Sequence, residues 1–316
     1  MSSFPLVSVV LPMYNAEKYV GQAIQSILDQ SFKKWELIVV DDGSTDRSLP
    51  VAESFRDPRV TIMRHPRNLG YPAAMNTGIG HAKGKFIARM DADDVSVVNR
   101  LERQHAFLEE HPEMAFVGTW RYWIGAKASI YPEIDTDAAA TWIQENWSTV
   151  MDGSRKFVDA SVLVPHKYVK EVGGYRTYQR SGQDVDLWLR ILEKHPMAGT
   201  LPEYLYGRRL LPSAITFSEG THIKNRIPRI LARERADTGT DRVMRGEPLD
   251  DRVSAQDARA ARAWRLTMLW NSARVFYKAR EFSYANSFAR AAIRAGGWHP
   301  RFAPLWGRCL WAVFSH

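Results

Sequence analysis

At 316 residues, 45% hydrophobic and 25% charged, the chain has the composition of a folded soluble protein, which excludes disordered and fibrous classes. Its length suffices for one large domain or two smaller ones, and its single cysteine, Cys309, excludes a disulfide framework, a zinc ribbon or an iron–sulfur site and favours a reducing compartment. The net charge of +8 is uneven, because residues 222–316 hold 18 Lys plus Arg against 8 Asp plus Glu while residues 1–221 are slightly acidic. Such a tail predicts either an anionic partner (a phospholipid surface, a pyrophosphate-linked acceptor or nucleic acid) or a solvated helical face.

The opening MSSFPLVSVVLPMYN lacks the basic n-region of a secretory signal and reads as a strand. No uncharged apolar run reaches the roughly 18 residues of a spanning helix, so the chain is expected in the cytoplasm or peripherally at a membrane. Short β-branched or apolar runs predict strands at 7–11, 36–40, 59–63 and 85–90. Between the first two, Tyr19, Ala23, Ile24, Ile27 and Leu28 share one helical face, with Asn15 placed to cap the helix. Further helices are expected over 67–82, with Ala73, Ala74, Asn76 and Thr77, and over 96–110, with Val97, Leu101, His105 and Leu108 on one face. Alternating strands and helices predict a parallel sheet covered on both sides.

From residue 115 the pattern loosens until a strand at 160–164 and a helix at 184–194. Residues 236–256, rich in Asp, Gly and Arg, read as a linker into a separate helical unit. There Ala285, Phe288, Ala289, Ala292 and Ile293 recur at helical spacing before Gly296 and Gly297. Trp298, Phe302, Trp306, Trp311 and Phe314, interleaved with Arg301 and Arg308, suit either a membrane interface or the packing of a helical cap.

Three polar clusters follow predicted strands: Pro12-Met13-Tyr14-Asn15, Asp41 to Asp46, and Asp91-Ala92-Asp93-Asp94. Any one of them is an ordinary Asp/Gly turn, but three at strand ends point to one crevice beyond the carboxyl edge of the sheet. Asp91 and Asp93, one residue apart on an extended segment, project the same way and suit Mg2+ or Mn2+ shared with substrate phosphates. The chain has neither GxxxxGK[ST] nor GxGxxG after its first strand, which removes the phosphate cradles of P-loop NTPases and dinucleotide dehydrogenases. His65, His81, His105 and His111 have no ligand-like pairing and read as surface or loop residues.

VSVVLPMYN, ELIVVDDGSTD, NLGYPAAMNTGIGHAKGKFIARMDADD and GGYRTYQRSGQDVDLW, in this order, resemble glycosyltransferase family 2 over about residues 6–217. The resemblance implies an α/β GT-A fold, Rossmann-like with a mostly parallel sheet flanked by helices, occupying residues 1–221 before a basic all-helical extension over 222–316. It implies an inverting, metal-dependent transferase moving a sugar from a nucleotide diphosphate sugar to a glycan or lipid-linked acceptor, in bacterial surface polysaccharide or glycolipid synthesis. Pro12, Tyr14, Asn15 and Glu17 would border the nucleoside, and Asp42 would receive the base, a carboxylate that favours uracil over cytosine through the N3 proton and leaves dTDP- and GDP-sugars open. Arg67, Asn76 and Asp91 would complete the base and ribose contacts, with Asp93 the direct metal ligand and Asp91 reaching metal or ribose.

Asp184 matches the family's base, or else caps the helix that follows, and Gln183 stands where the family usually has Glu. Gly173 and Gly174 would lie near the donor sugar, while Trp188 suits either stacking on an acceptor sugar or the core. Arg209 matches a family arginine, but Leu211 replaces the following histidine, so Arg208 or Arg209 is the expected partner of the leaving diphosphate. The extension would meet an anionic membrane peripherally. Two rival readings are a nucleotide-sugar-binding module without chemistry, which the set Asp91, Asp93 and Asp184 argues against, and a nucleic-acid-binding protein, which leaves the strand-end clusters unexplained.

Overall fold

The computed structural model describes residues 4–125, 130–132, 142–154, 157, 159–178, 182–212, 226–249, 255–278 and 281–295. The aromatic segment from Trp298 to Phe314 and the helix stop at Gly296 and Gly297 lie outside the described residues. The chain opens with β1 (Val7–Met13), α1 (Val20–Leu28), β2 (Trp35–Asp41), α2 (Ser48–Glu53), β3 (Val60–Arg64), α3 (Tyr71–His81), β4 (Phe86–Arg89), β5 (Val95–Ser96) and α4 (Arg100–Glu110). It continues through β6 (Val117–Ile124), β7 (Ile130–Pro132), β8 (Ile143–Asn146), α5 (Trp147–Asp152), a 3-10 turn (Asp159–Ser161), β9 (Leu163–Pro165), α6 (His166–Glu171), α7 (Gln183–Lys194) and β10 (Met197–Arg209). Three helices follow: α8 (Ile227–Thr238), α9 (Ala255–Lys278) and α10 (Phe282–Arg294).

The main path of the sheet runs β3-β2-β1-β4-β9-β6-β10-β5. Its first four strands are parallel, whereas β9 against β4, and β5 and β8 against β10, are antiparallel. Strands β1, β2 and β4 are buried on both faces, which is why β1 and β2 read as unbroken apolar runs, whereas the edge strand β3 is partly exposed. Successive β2 residues point to opposite sides. Leu37 and Val39 join Val20, Ala23, Ile24 and Ile27 of α1 in one cluster, while Ile38 and Val40 meet Ala74 of α3 in another.

Two expected helices begin late. Residues 67–70 form a loop before α3, and Val95–Ser96 pair with Gly207 and Tyr206 of β10 as a short strand before α4. Asn15 does not cap α1: Tyr19 holds the cap position without a side-chain bond, and Asn15 adopts φ 50. The expected strand at 160–164 is divided between the 3-10 turn and β9. The patternless stretch after 115 contains β6, β8 and α5.

The chain divides into two compact units, one comprising residues up to Tyr122 with Pro132–Arg208, the other Trp123–Tyr131 with residues from Arg209 onward. The second unit thus includes a short segment far upstream of the proposed boundary at 221/222. Its core is a helical pair in which Leu269, Trp270, Ala273 and Phe276 of α9 pack on Ala285, Phe288, Ala289 and Ala292 of α10, with the Phe276 and Phe288 rings stacked at 5.5 Å. Within the expected linker, α8 ends at Thr238, and buried Asp241 then accepts from Arg235 and from the Met244 amide.

Candidate active site

The carboxyl ends of β1 and β2 lead into two loops that hydrogen-bond each other. Asn15, in the left-handed region that asparagine tolerates best after glycine, accepts the Thr45 amide on its side-chain oxygen at 2.9 Å and donates its own amide to Ser44 at 3.1 Å. The Ala16 amide donates to Ser48 Oγ, the Glu17 amide to Asp46, and the Arg47 amide to Glu17. The resulting rim leaves Tyr14 47% exposed, two residues from buried Pro12.

Asp42, buried at the end of β2, accepts the Leu69 amide on Oδ1 at 2.9 Å and the Gly70 amide on Oδ2 at 2.8 Å. His65 Nδ1 lies 2.7 Å from Oδ1, and its Nε2 lies 3.0 Å from Thr77 Oγ1. His65 is therefore no surface histidine: it ties Asp42 to α3. Gly43, at φ 73, lies so close to the next loop that a Cβ would meet the Arg67 carbonyl carbon at 2.5 Å. Glycine lets the Asp42 turn and the loop carrying exposed Arg67 touch backbone to backbone.

At the end of β4, Arg89 draws the third cluster together with α7. Its Nη2 donates to Asp91 Oδ1 at 3.1 Å, its Nη1 lies 3.2 Å from Asp184 Oδ2, and its Nε donates to the Tyr71 hydroxyl. The Asp184 and Asp91 side chains retain 19% and 29% exposure against 7% for Arg89, so the cation is the more deeply buried partner of both pairs. Burial, with the neighbouring Asp184 and Asp91 carboxylates, raises the Tyr71 hydroxyl well above the usual tyrosine range despite opposition from Arg89. Below the turn, fully buried Arg100 donates to the Arg89 carbonyl at 3.2 Å, and burial lowers it to about 10. Tyr206 of β10 accepts the Asp91 amide at 3.1 Å.

Gly182 occupies the cap of α7, which places Asp184 inside the first turn, where the helix dipole favours a carboxylate. Asp184 is thus not the N-cap. Asp186, two residues on, is fully buried and bonds Arg190 at 2.8 Å. Arg190 in turn donates to the Val172 and Gly174 carbonyls and fixes the Gly173-Gly174 turn against α7. Asn76 donates to the Tyr175 carbonyl at 2.7 Å and accepts the Tyr175 amide at 2.8 Å, so both ends of its side chain secure that turn instead of lying open to a ribose. Gly174, at φ 70, would push a Cβ to 2.7 Å from the Asn76 oxygen.

Trp188 is 1% exposed, donates to Asp159 at 3.0 Å and packs on Phe116, which places it in the core and removes it as a sugar platform. Arg209, also buried, donates to the Gly125 carbonyl within the second unit.

Among the described residues, no group of three or more His, Cys, Asp or Glu forms a closed metal cage. Asp91 and Asp93, both partly exposed, fit a hard cation that takes one or two carboxylates and completes its shell with phosphate oxygens. The sequence pattern missed Arg89, His65 and Tyr206 as site residues. A legible signal for Arg89 was a cation inside the buried run Phe86-Ile87-Ala88-Arg89-Met90 directly before the acidic turn.

Residues 8–172 match the family described as Glycosyl transferase family 2. The Bacillus subtilis (strain 168) protein EpsE, assigned by its name as a glycosyltransferase, is 34% identical over 211 residues, 65% of this chain and 73% of that protein. The Escherichia coli protein WfgD, named as a UDP-Glc:alpha-D-GlcNAc-diphosphoundecaprenol beta-1,3-glucosyltransferase, is 39% identical over 99 residues, 31% of this chain and 39% of its own length. Among solved structures, Staphylococcus aureus TarS (1–349) with UDP-GlcNAc superposes at a TM-score of 0.59, with 18% identity over 96% of this chain and 79% of that one. The mannosyltransferase PcManGT from Pyrobaculum calidifontis, with GDP-Man and Mn2+, gives 0.58, with 18% identity over 93% and 87%. These superpositions establish the GT-A fold.

Proposed function

The chain belongs to glycosyltransferase family 2 and is a transferase by that membership, and from this premise we propose an inverting transfer from a UDP-sugar to a hydroxyl of a glycan or lipid-linked acceptor in bacterial surface polysaccharide or glycolipid synthesis. The observation that carries the reading is the convergence of Asp91 and Asp184 on Arg89, from the end of β4 and the first turn of α7, at the carboxyl edge of the parallel strands. Tyr14 would stack on the base. Asp42 has two lone-pair sites on each oxygen and three donors already, which leaves room to accept a single base N–H such as N3–H of uracil. The names of WfgD and the TarS complex support a uridine donor, and WfgD a lipid-linked acceptor.

Asp93, with Asp91, would hold Mg2+ or Mn2+, which supplies charge stabilisation for the departing diphosphate. The acceptor oxygen attacks the anomeric carbon from the face opposite the diphosphate; its bond to that carbon forms as the carbon–phosphate oxygen bond breaks, and the electron pair leaves with the nucleotide. The acceptor hydroxyl's proton passes to the Asp184 carboxylate. With Trp188 in the core and Asn76 engaged by Tyr175, acceptor and ribose would be held by other groups, among them Arg67 and the Gly173-Gly174 turn.

Replacing a base that accepts a proton in the transition state costs about 10²–10⁴-fold in turnover. Asp184→Asn should therefore lose nucleotide release from the donor sugar, water standing in for the acceptor, while UDP still binds in the presence of Mn2+. Asp93→Ala should lose that binding. Unchanged turnover by Asp184→Asn would remove the base assignment.

A further inference from the structure

Arg89 ends an interior strand with a nearly buried cation, an arrangement that costs several kcal/mol unless anions and acceptors surround it. Here its side chain engages site groups: Nε the Tyr71 hydroxyl, Nη2 Asp91 and Nη1 Asp184, with the Tyr71 ring 4.9 Å from the guanidinium carbon. Its backbone is equally fixed, the amide donating to the Val162 carbonyl at 3.1 Å and the carbonyl accepting from Arg100. Tyr175, in the turn before α7, completes the surroundings. A guanidinium is a planar fork whose two Nη groups stand at a fixed angle, so it sets two carboxylates relative to each other, whereas an ammonium is a point charge.

We propose that Arg89 is a positioning residue of the transfer, fixing the Asp184 carboxylate against Asp91 so that the group meeting the acceptor proton and the group meeting the donor are held in one geometry. The inference rests on the reading of Asp184 as base. It requires the two residues to act as a unit, because a base loosened from its anchor contributes little more than no base, and the effects of residues acting together do not multiply.

The test is nucleotide release from the UDP-sugar that the wild-type protein turns over, with Mn2+, for Arg89→Met, Arg89→Lys, Asp184→Asn and the Arg89→Met/Asp184→Asn pair, beside UDP–Mn2+ binding by calorimetry. Arg89→Met should lower kcat by about 100-fold, close to the loss in Asp184→Asn, and the double variant should fall within about threefold of either single one. Arg89→Lys, which keeps the buried charge but not the fork, should fold and still lose about 10-fold in kcat, with UDP affinity within about threefold of wild type. Losses that multiply in the double variant, or wild-type kcat in Arg89→Lys, would overturn the positioning role while leaving the base intact. If Asp184→Asn itself turns over normally, the reading of the base fails and this inference falls with it. Should Arg89→Met not fold, Arg89→Lys combined with Asp184→Asn decides additivity in the same way.

Discussion

Gly43 and Gly173 both sit at positive φ, 73 and 77, but their surroundings differ, and this separates backbone strain from contact. A Cβ on Gly43 would collide with the backbone of Arg67 and Asn68, whereas one on Gly173 would meet nothing within 4 Å. The left-handed conformation alone costs a non-glycine residue about 1–2 kcal/mol. Denaturant unfolding of Gly173→Ala should show about that loss, and Gly43→Ala should lose more and weaken UDP binding, since the loop carrying Arg67 must move. Equal losses in the two variants would mean that the collision is relieved without cost. At this scale the sequence revealed side-chain chemistry better than side-chain geometry. Asp91 is legible through the coincidence of three polar clusters at strand ends and Asp184 through the family resemblance, whereas the Asn76 bonds to Tyr175 and the core placement of Trp188, one of the two alternatives its position offers, are not, because nothing local marks the Tyr175 backbone or Phe116 as their partners. Asp42 and His65 show the same limit: the bond between them joins the end of β2 to the loop after β3, and His65 reaches α3 through Thr77.

At the scale of elements, α4 carries a pH dependence unrelated to the site. His105 packs between the Phe32 and Phe86 rings at 4.9 and 5.5 Å, 19% of its side chain exposed. Burial, aided by Lys85 and Lys34 and opposed by Glu109, lowers its proton affinity below the ordinary histidine range. In the window below the unfolded-state value near ~6.5, the unfolded chain binds more protons at this position, so stability falls as pH falls and is retained above the window. His105→Gln should flatten that part of the stability curve between pH 7 and 5 in urea unfolding; an unchanged slope would assign the acid sensitivity elsewhere. Elements with strong periodicity were legible: the helical faces of α1 and α10 and the apolar runs of β1, β2 and β4 all lie where periodicity puts them. Starts were not, since β5 exists only through its partner β10, more than a hundred residues on, and the antiparallel strands between 115 and 165 depend on long-range pairing that no local pattern records.

At the scale of the molecule, charge is divided as the chain is: the slightly acidic part holds the crevice, and the basic part places exposed Arg259, Arg262, Arg274, Lys278, Arg290 and Arg294 on α9 and α10. No helix among the described residues is long and apolar enough to cross a membrane. If the basic face meets an anionic surface, the protein should co-sediment with vesicles containing anionic phospholipid at low salt and be released at high salt, because screening shortens the reach of each charge. Equal binding to neutral vesicles would exclude the electrostatic account. Whether the protein is a metal-dependent nucleotide-sugar transferase with Asp184 as base is decided by nucleotide release across a panel of UDP-, GDP- and dTDP-sugars with Mn2+, Mg2+ or EDTA, using wild-type, Asp93→Ala and Asp184→Asn proteins. Wild-type protein should release nucleotide from a UDP-sugar with metal, with no release in EDTA or in Asp93→Ala, and Asp184→Asn should lose at least about 100-fold with UDP binding preserved. Full turnover in EDTA, or in Asp184→Asn, would contradict that reading.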